Sequence, residues 1–194
     1  SLFSIAPGGK TLMTHFYTRK GDDGTTGVLG PGRVSKTDAR MEALGSVDEA
    51  SAALGMVRSF ALGQDTAALV MQAQRDLYGL MGEVAATPEN AETFRAITPQ
   101  RVAWLEAQID ALSAQVSLPR EFIVPGDTRP GAFLALARTV VRRAERRVAV
   151  LVEAGELQNP ELLRYLNRLS SLCFVLELYE SQAAGRAGPT LAKD

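Results

Sequence analysis

Apolar residues recur along this chain mostly at three- and four-residue intervals, the spacing of helices that bury one face. In "MEALGSVDEASAALGMV", Ser46 followed by Glu49 has the S-x-x-E form of a capping box and predicts a helix from there to about Ser59. A second periodic run covers about Thr66 to Ala85, with Leu69, Val70, Ala73, Leu77, Leu80, Met81 and Val84 on one face. "TPEN", Thr87 to Asn90, interrupts it. Thr98 then reads as an N-cap with Pro99 at the first helical position, and Val102, Leu105, Ile109, Leu112 and Val116 form a stripe to about Ser117. "SLPREFIVPGDTRPG" is a connection with a short extended piece, Phe122 to Val124, stiffened by Pro119, Pro125 and Pro130. A fourth helix is predicted from about Gly131 to Glu153, with Phe133, Leu136, Val140, Ala144, Val148 and Leu151 on its buried face. A fifth runs from Pro160 to about Ala183, and the tail "AGRAGPTLAKD" reads as frayed.

Five helices with mainly short connections predict an all-α fold, an up-and-down five-helix bundle in a single domain over residues 17–184. Residues 1–16 then form a flexible arm or a vector remnant, with Met13 a candidate natural start, and 185–194 a loose end. No strand–helix alternation, internal repeat or low-complexity segment competes with this reading.

Composition narrows the chemistry. Hydrophobic residues make up 46% of 194 and aromatics only 6%, so the core is expected to be aliphatic and alanine-filled. The net charge of −1 gives no global attraction to nucleic acid or anionic lipid, so an anion site must be a local cluster. No apolar run approaches the roughly 18 residues of a membrane span. One cysteine, Cys173, lies among leucines and reads as a small buried apolar residue in a reducing, cytoplasmic setting. One histidine, His15, leaves no basis for a triad hydrolase or a histidine metal site.

Two polar clusters remain. "YTRKGDDGTTG" holds three glycines and three threonines and is either solvated or a cradle of N–H and hydroxyl donors; it is no P-loop, lacking G-x-x-x-x-G-K-[ST]. "ARTVVRRAERRVAVL" stacks Arg138, Arg142 and Arg146 at four-residue spacing opposite the apolar face, with Glu145 beside them. Such a row repels itself unless screened by acids or by an anion, and arginine rather than lysine suits bidentate phosphate recognition. The fifth helix has Leu162, Leu166, Leu169, Cys173 and Leu176 on one side and Phe174 and Leu178 on the other. It is therefore expected to be buried in the bundle or against another subunit. Asn167 on it is a core amide or a ligand to nucleotide or metal.

Taken together, "YTRKGDDGTTG", "RVSK", "EALGSVDEASAALG", "VAWLEAQID", "FIVPG", "ARTVVRRAERRV" and "YLNRLS" resemble, in order and over about Tyr17 to Glu180, the PduO-type ATP:cob(I)alamin adenosyltransferases. The resemblance implies a homotrimer with ATP between subunits and transfer of its 5′-deoxyadenosyl group to Co(I) cobalamin. It implies a triphosphate cradle of Thr18, Arg19, Lys20, Gly21, Thr26, Gly27 and Lys36, completed by Arg142, Arg143, Glu145, Arg146 and Asn167, with Mg²⁺ on the phosphates. Arg138 matches an arginine paired across the interface with an aspartate, here Asp48, and Phe122 an aromatic that keeps the lower base off cobalt. A cob(II)alamin reductase and an adenosylcobalamin-dependent enzyme are the implied partners. Ser171, Ala135 and Asp127 depart from the residues usual in that family. Two other readings are a non-catalytic trimer that binds ATP and corrinoid, and a helical nucleic-acid binder working through the arginine face.

Overall fold

The computed structural model describes residues 17–193. His15 and the expected N-terminal arm lie outside the described residues. A short hairpin, β1 (Thr25–Gly27) and β2 (Arg33–Ser35), precedes five helices: α1 (Ala39–Phe60), α2 (Gln64–Ala85), α3 (Pro99–Ser113), α4 (Arg129–Glu153) and α5 (Glu161–Ala183). The hairpin was not expected from the sequence, but the five-helix bundle stands.

The core is an aliphatic seam. Ala43, Val47, Ala50, Leu54 and Val57 of α1 face Val70, Ala73, Leu77, Leu80 and Val84 of α2, all fully or nearly fully buried. In α4 the same alternating spacing of three and four selects Leu134, Ala137, Val141, Ala144, Val148 and Leu151. Helices that share this spacing pack side by side at shallow crossing angles. The expected α4 face was therefore about one position off at its start. Leu136 is 50% exposed, and Phe133 is only half-buried, its ring stacked at 5.0 Å on Phe60.

Helix α1 begins a full two turns before Ser46. Asp38 is the N-cap, its side chain accepting from the Arg40 N–H at 2.8 Å. Ser46 sits mid-helix, its hydroxyl donating to the Glu42 carbonyl, so the S-x-x-E match was accidental. Thr98 does cap α3, accepting from the Arg101 N–H, while α3 stops at Ser113 rather than Ser117. Thr128 caps α4 by accepting from the Gly131 N–H.

Helix α5 is buried on almost every side, between α4 and α3. Its two-sided apolar pattern is satisfied largely within the chain, since Leu178 is 5% exposed. Polar ties hold the bundle in register. Tyr165, fully buried, donates to Asp76 at 2.7 Å, and Asp76 also receives Arg101 from α3. Burial beside the Asp76 charge drives the Tyr165 hydroxyl far above its ordinary pKa, so it remains a proton donor.

The tail is not frayed. Val124 donates to the Thr190 carbonyl at 2.8 Å and Ala192 to the Phe122 carbonyl at 2.7 Å, making an antiparallel bridge of Ile123 with Leu191. An extended segment between prolines leaves backbone groups unpaired, and the tail supplies their partners.

Arg40 closes the other end. Buried to 8% exposure, it donates to the carbonyls of Val84 and Ala86 at the end of α2 and to Glu156 after α4. Arg40→Ala leaves two helix-end carbonyls unsatisfied and should cost about 3 kcal/mol in urea unfolding. Arg40→Lys should recover only part, because one ammonium cannot reproduce the fork. A loss below about 1 kcal/mol, the ordinary net value of one hydrogen bond, would exclude this clamp.

Candidate functional site

The Gly/Thr loop is shaped from within. Asp23 accepts from the Thr25 N–H at 2.9 Å and its hydroxyl at 2.8 Å, and those two contacts hold its carboxyl below the usual range. Arg33 of β2 donates to the Lys20 and Thr25 carbonyls and to the Thr25 hydroxyl, pinning the loop to the hairpin. Gly24 has φ +81°, a left-handed turn that suits glycine. Arg19 takes φ +60°, a region arginine rarely visits. Such local strain gathers where a segment must present itself to a ligand. A Cβ on Gly21 would stand 3.1 Å from the Lys36 ammonium, so Lys36 lies directly over that glycine. Thr18, Arg19, Lys20, Gly21, Thr26, Gly27 and Lys36 thus surround one turn-rich surface, its donors mostly exposed. Asp23 and Arg33, which shape it, were not among the expected site residues; their only sequence signal was a charge pair flanking a glycine run.

Helix α4 sorts its arginines by side. Arg143 pairs with Glu49 and Arg147 with Glu42, both on α1, so these two serve the bundle. Arg142 and Arg146 are exposed, with Arg146 donating to the Arg142 carbonyl at 3.1 Å. Arg138 is half-buried, and its Nε is buried with no hydrogen-bond partner in the chain. Asn167 is engaged on both ends, donating to Glu145 at 3.2 Å and accepting from Arg168 at 2.7 Å. Arg168, not foreseen, reaches on to Glu106 of α3.

A cleft of about 620 Å³ brings Arg138 and Arg142 together with Phe122, Ser171, Phe174 and Val175. Phe122 is 86% exposed, an unusual exposure for a phenylalanine held on a stiff, strand-paired segment. One wall is therefore cationic and another apolar. Asp48 lies elsewhere, on an apolar groove between α1 and α2 beside Gly45, Tyr78 and Gly79. No hydrogen bond or ion pair joins Thr18–Lys36 to the α4 arginines, nor Asp48 to Arg138, within the chain. The expected site residues therefore fall into four places: the loop; the cleft with Phe122, Arg138 and Arg142; the α4 and α5 positions Arg143, Glu145, Arg146 and Asn167 outside that cleft's lining; and the α1/α2 groove. Cys173 is fully buried and burial pushes its thiol up to about 12, which removes it from any nucleophilic role. Among the described residues no three His, Cys, Asp or Glu side chains cluster as a metal cage.

The fold and site define a helical bundle with a donor-rich glycine loop and a cleft that sets arginines beside apolar side chains. The chain belongs to the cobalamin adenosyltransferase family, whose model matches residues 16–180. It is 37% identical over 162 residues to the corrinoid adenosyltransferase of Bacillus subtilis, covering 81% of this chain and 82% of that one. It is 41% identical over 179 residues to that of Mycobacterium tuberculosis, covering 84% and 87%. It is 37% identical to the corrinoid adenosyltransferase PduO of Salmonella typhimurium, of whose length it spans 51%. The fold is similar, with TM-score 0.86 and 29% identity, to a variant of the PduO-type ATP:corrinoid adenosyltransferase from Lactobacillus reuteri complexed with cobalamin and ATP. That match covers 93% of this chain and 100% of the other.

Glu177 completes the electrostatics near the cleft. It is 5% exposed on α5 and makes no hydrogen bond or ion pair among the described residues. Burial pushes its carboxyl from 4.5 up to about 7, opposed by the Arg138 guanidinium and assisted by Asp127. The folded chain then keeps a proton that the unfolded chain has released between pH 4.5 and 7. Stability should therefore fall as pH rises through that window and level off above it. Glu177→Gln should flatten the slope, read as urea midpoints at the two ends of the window. An unchanged slope would mean that the carboxyl titrates normally.

Proposed function

We propose that this chain transfers the 5′-deoxyadenosyl group of ATP to cob(I)alamin, forming adenosylcobalamin and releasing triphosphate. The observation that carries the proposal is the single cleft shared by Phe122, Arg138 and Arg142, in a chain of this family. The electron pair on Co(I) forms a bond to the 5′ carbon while the carbon–oxygen bond breaks, and that pair leaves with the triphosphate. So strong a nucleophile needs no general base, and the protein's tasks are alignment and stabilisation of the leaving charge.

In this reading Thr18, Arg19, Lys20, Gly21, Thr26, Gly27 and Lys36 hold the triphosphate, and Arg142, Glu145, Arg146 and Asn167 complete the site, while Arg143, expected there too, is held by Glu49 and ties α4 to α1 instead. Mg²⁺ bound with the nucleotide would add to the charge stabilisation of the leaving triphosphate. Phe122 stands against the lower face of the corrin and keeps the axial base from cobalt, which makes Co(II) easier to reduce. Among the described residues no hydrogen bond or ion pair joins the loop to the arginine row, which supports a neighbouring copy supplying the second half. Arg138, half-buried and lining the cleft, and the exposed Asp48 fit a pairing across that interface. The assembly is a homotrimer in the cytoplasm, receiving cobalamin from a reductase and serving an adenosylcobalamin-dependent enzyme. The described helices include none long and apolar enough to cross a membrane.

Mixing the protein with ATP, Mg²⁺ and chemically reduced cobalamin should give the absorbance spectrum of adenosylcobalamin; no spectral change would reject the activity. Sedimentation should show one species near three times 20.8 kDa, and a monomer that still turns over would reject the shared site. Arg142→Ala should leave unfolding unchanged, since the side chain is exposed, while losing one charge-assisted phosphate contact costs roughly 1.5–3 kcal/mol in ATP binding and turnover. Unaltered kinetics would remove Arg142 from the site.

A further inference from the structure

The carboxylate of Asp127 has a function that the transfer reaction alone does not explain. Its side chain is 15% exposed and takes three hydrogen bonds from one short stretch of the C-terminal segment. Oδ1 accepts from the Thr190 hydroxyl at 2.6 Å and from Arg186 at 3.2 Å, and Oδ2 accepts from the Thr190 N–H at 2.8 Å. The Thr190 contacts, with Arg186 beside them, hold the carboxyl below its ordinary range, so it is ionised throughout neutral pH. The same Thr190 accepts from Val124 through its carbonyl, and two residues on Ala192 donates to Phe122. One threonine is therefore gripped from both sides, by Asp127 and by the segment that carries Phe122.

The geometry makes this more than a tail contact. Phe122 to Val124 lies outside every helix, and its backbone hydrogen bonds go to Thr190 and Ala192. Gly126, at φ +122°, takes a backbone conformation that favours glycine between Val124 and Asp127, and the anchor follows the aromatic by five residues. At its other end Asp127 adjoins Thr128, the N-cap of α4, which ties the anchor to the rigid bundle. A ring that is 86% exposed has little packing of its own to fix it, so its backbone must do so.

We propose that Asp127 is a positioning residue for Phe122: it clamps the segment 186–192, which bridges to Phe122–Val124 through Ile123 and Leu191, and that segment fixes the ring in the cleft. The inference rests on the corrin-facing role given to Phe122 above. Displacing an aligned group by about 1 Å can cost as much as a hundredfold in rate. Loosening the clamp should therefore imitate, in part, removal of the ring.

The test compares Asp127→Ala, Thr190→Val, Phe122→Ala and the double variant of Asp127→Ala with Phe122→Ala, in the full chain. Amide hydrogen exchange should rise on the order of tenfold or more at Val124 and Ala192 in Asp127→Ala, with the helices unaffected. With cob(II)alamin and ATP, Asp127→Ala should lose part of the four-coordinate Co(II) absorbance and Thr190→Val a smaller part, while ATP affinity stays unchanged. Adenosylation from Co(II) with a mild reductant should fall by about tenfold, and less when Co(I) is supplied preformed. The double variant should be no worse than Phe122→Ala, because the two act through one ring. Unchanged exchange at Val124 and Ala192, or full four-coordinate absorbance in Asp127→Ala where Phe122→Ala loses it, would overturn the proposal. If Phe122→Ala itself keeps that absorbance, the corrin-facing reading fails instead and the positioning role falls with it.

Discussion

Burial of α5 on almost every side is the constraint from which the rest of the molecule follows. A helix enclosed by α4 and α3 has little solvent face on which to place polar groups, so each buried one it carries must be answered by a partner. Tyr165 is answered by Asp76 and Arg101, Asn167 by Glu145 and Arg168, and Glu180 accepts from the Leu62 N–H where α1 hands over to α2. Two carboxylates are less well answered: one oxygen of Glu180 is buried without a partner, and Glu177 makes no hydrogen bond among the described residues, its carboxyl raised by burial. Where α5 does reach the surface, at Ser171 and half-buried Phe174, it forms a wall of the cleft.

The candidate site shows how little regular structure is needed to hold functional groups in place. One arginine, Arg33, fixes the Gly/Thr loop by three hydrogen bonds, and one aspartate, Asp127, takes three more from the tail that pairs with the Phe122 segment. In both cases a charged side chain takes several backbone or hydroxyl partners, the kind of contact that is stronger than a neutral pair. The arginines of α4 divide the same way. Those turned to α1 find carboxylates, while Arg138 and Arg142 are left facing the cleft.

Much of this was legible in advance because helix periodicity is a local property. The five helices, the Thr98 cap and the burial of Cys173 follow from spacing and residue type within a few turns. The misreadings share one cause. Ser46 matched a capping motif that Asp38, eight residues earlier, had already made unnecessary. Leu136 fitted an apolar stripe that the contact with α1 and α5 shifted by a position, leaving it exposed. The tail looked frayed because nothing near it in sequence could hold it; its partners are some sixty residues away at Phe122, Val124 and Asp127.

The sequence by itself determined that this chain is a helical bundle with an aliphatic core, and it singled out the glycine-rich loop and the arginine row, since composition and spacing encode both. Its motifs also carried the family. Only the tertiary structure decided which arginines serve the bundle and which face the cleft, that Phe122 shares that cleft with Arg138 and Arg142, and that Asp127 holds the tail against it. Those outcomes depend on contacts between residues far apart in the chain. The direction in which a side chain at a given helical position points is set by which neighbour the helix packs against, and no local pattern records that choice.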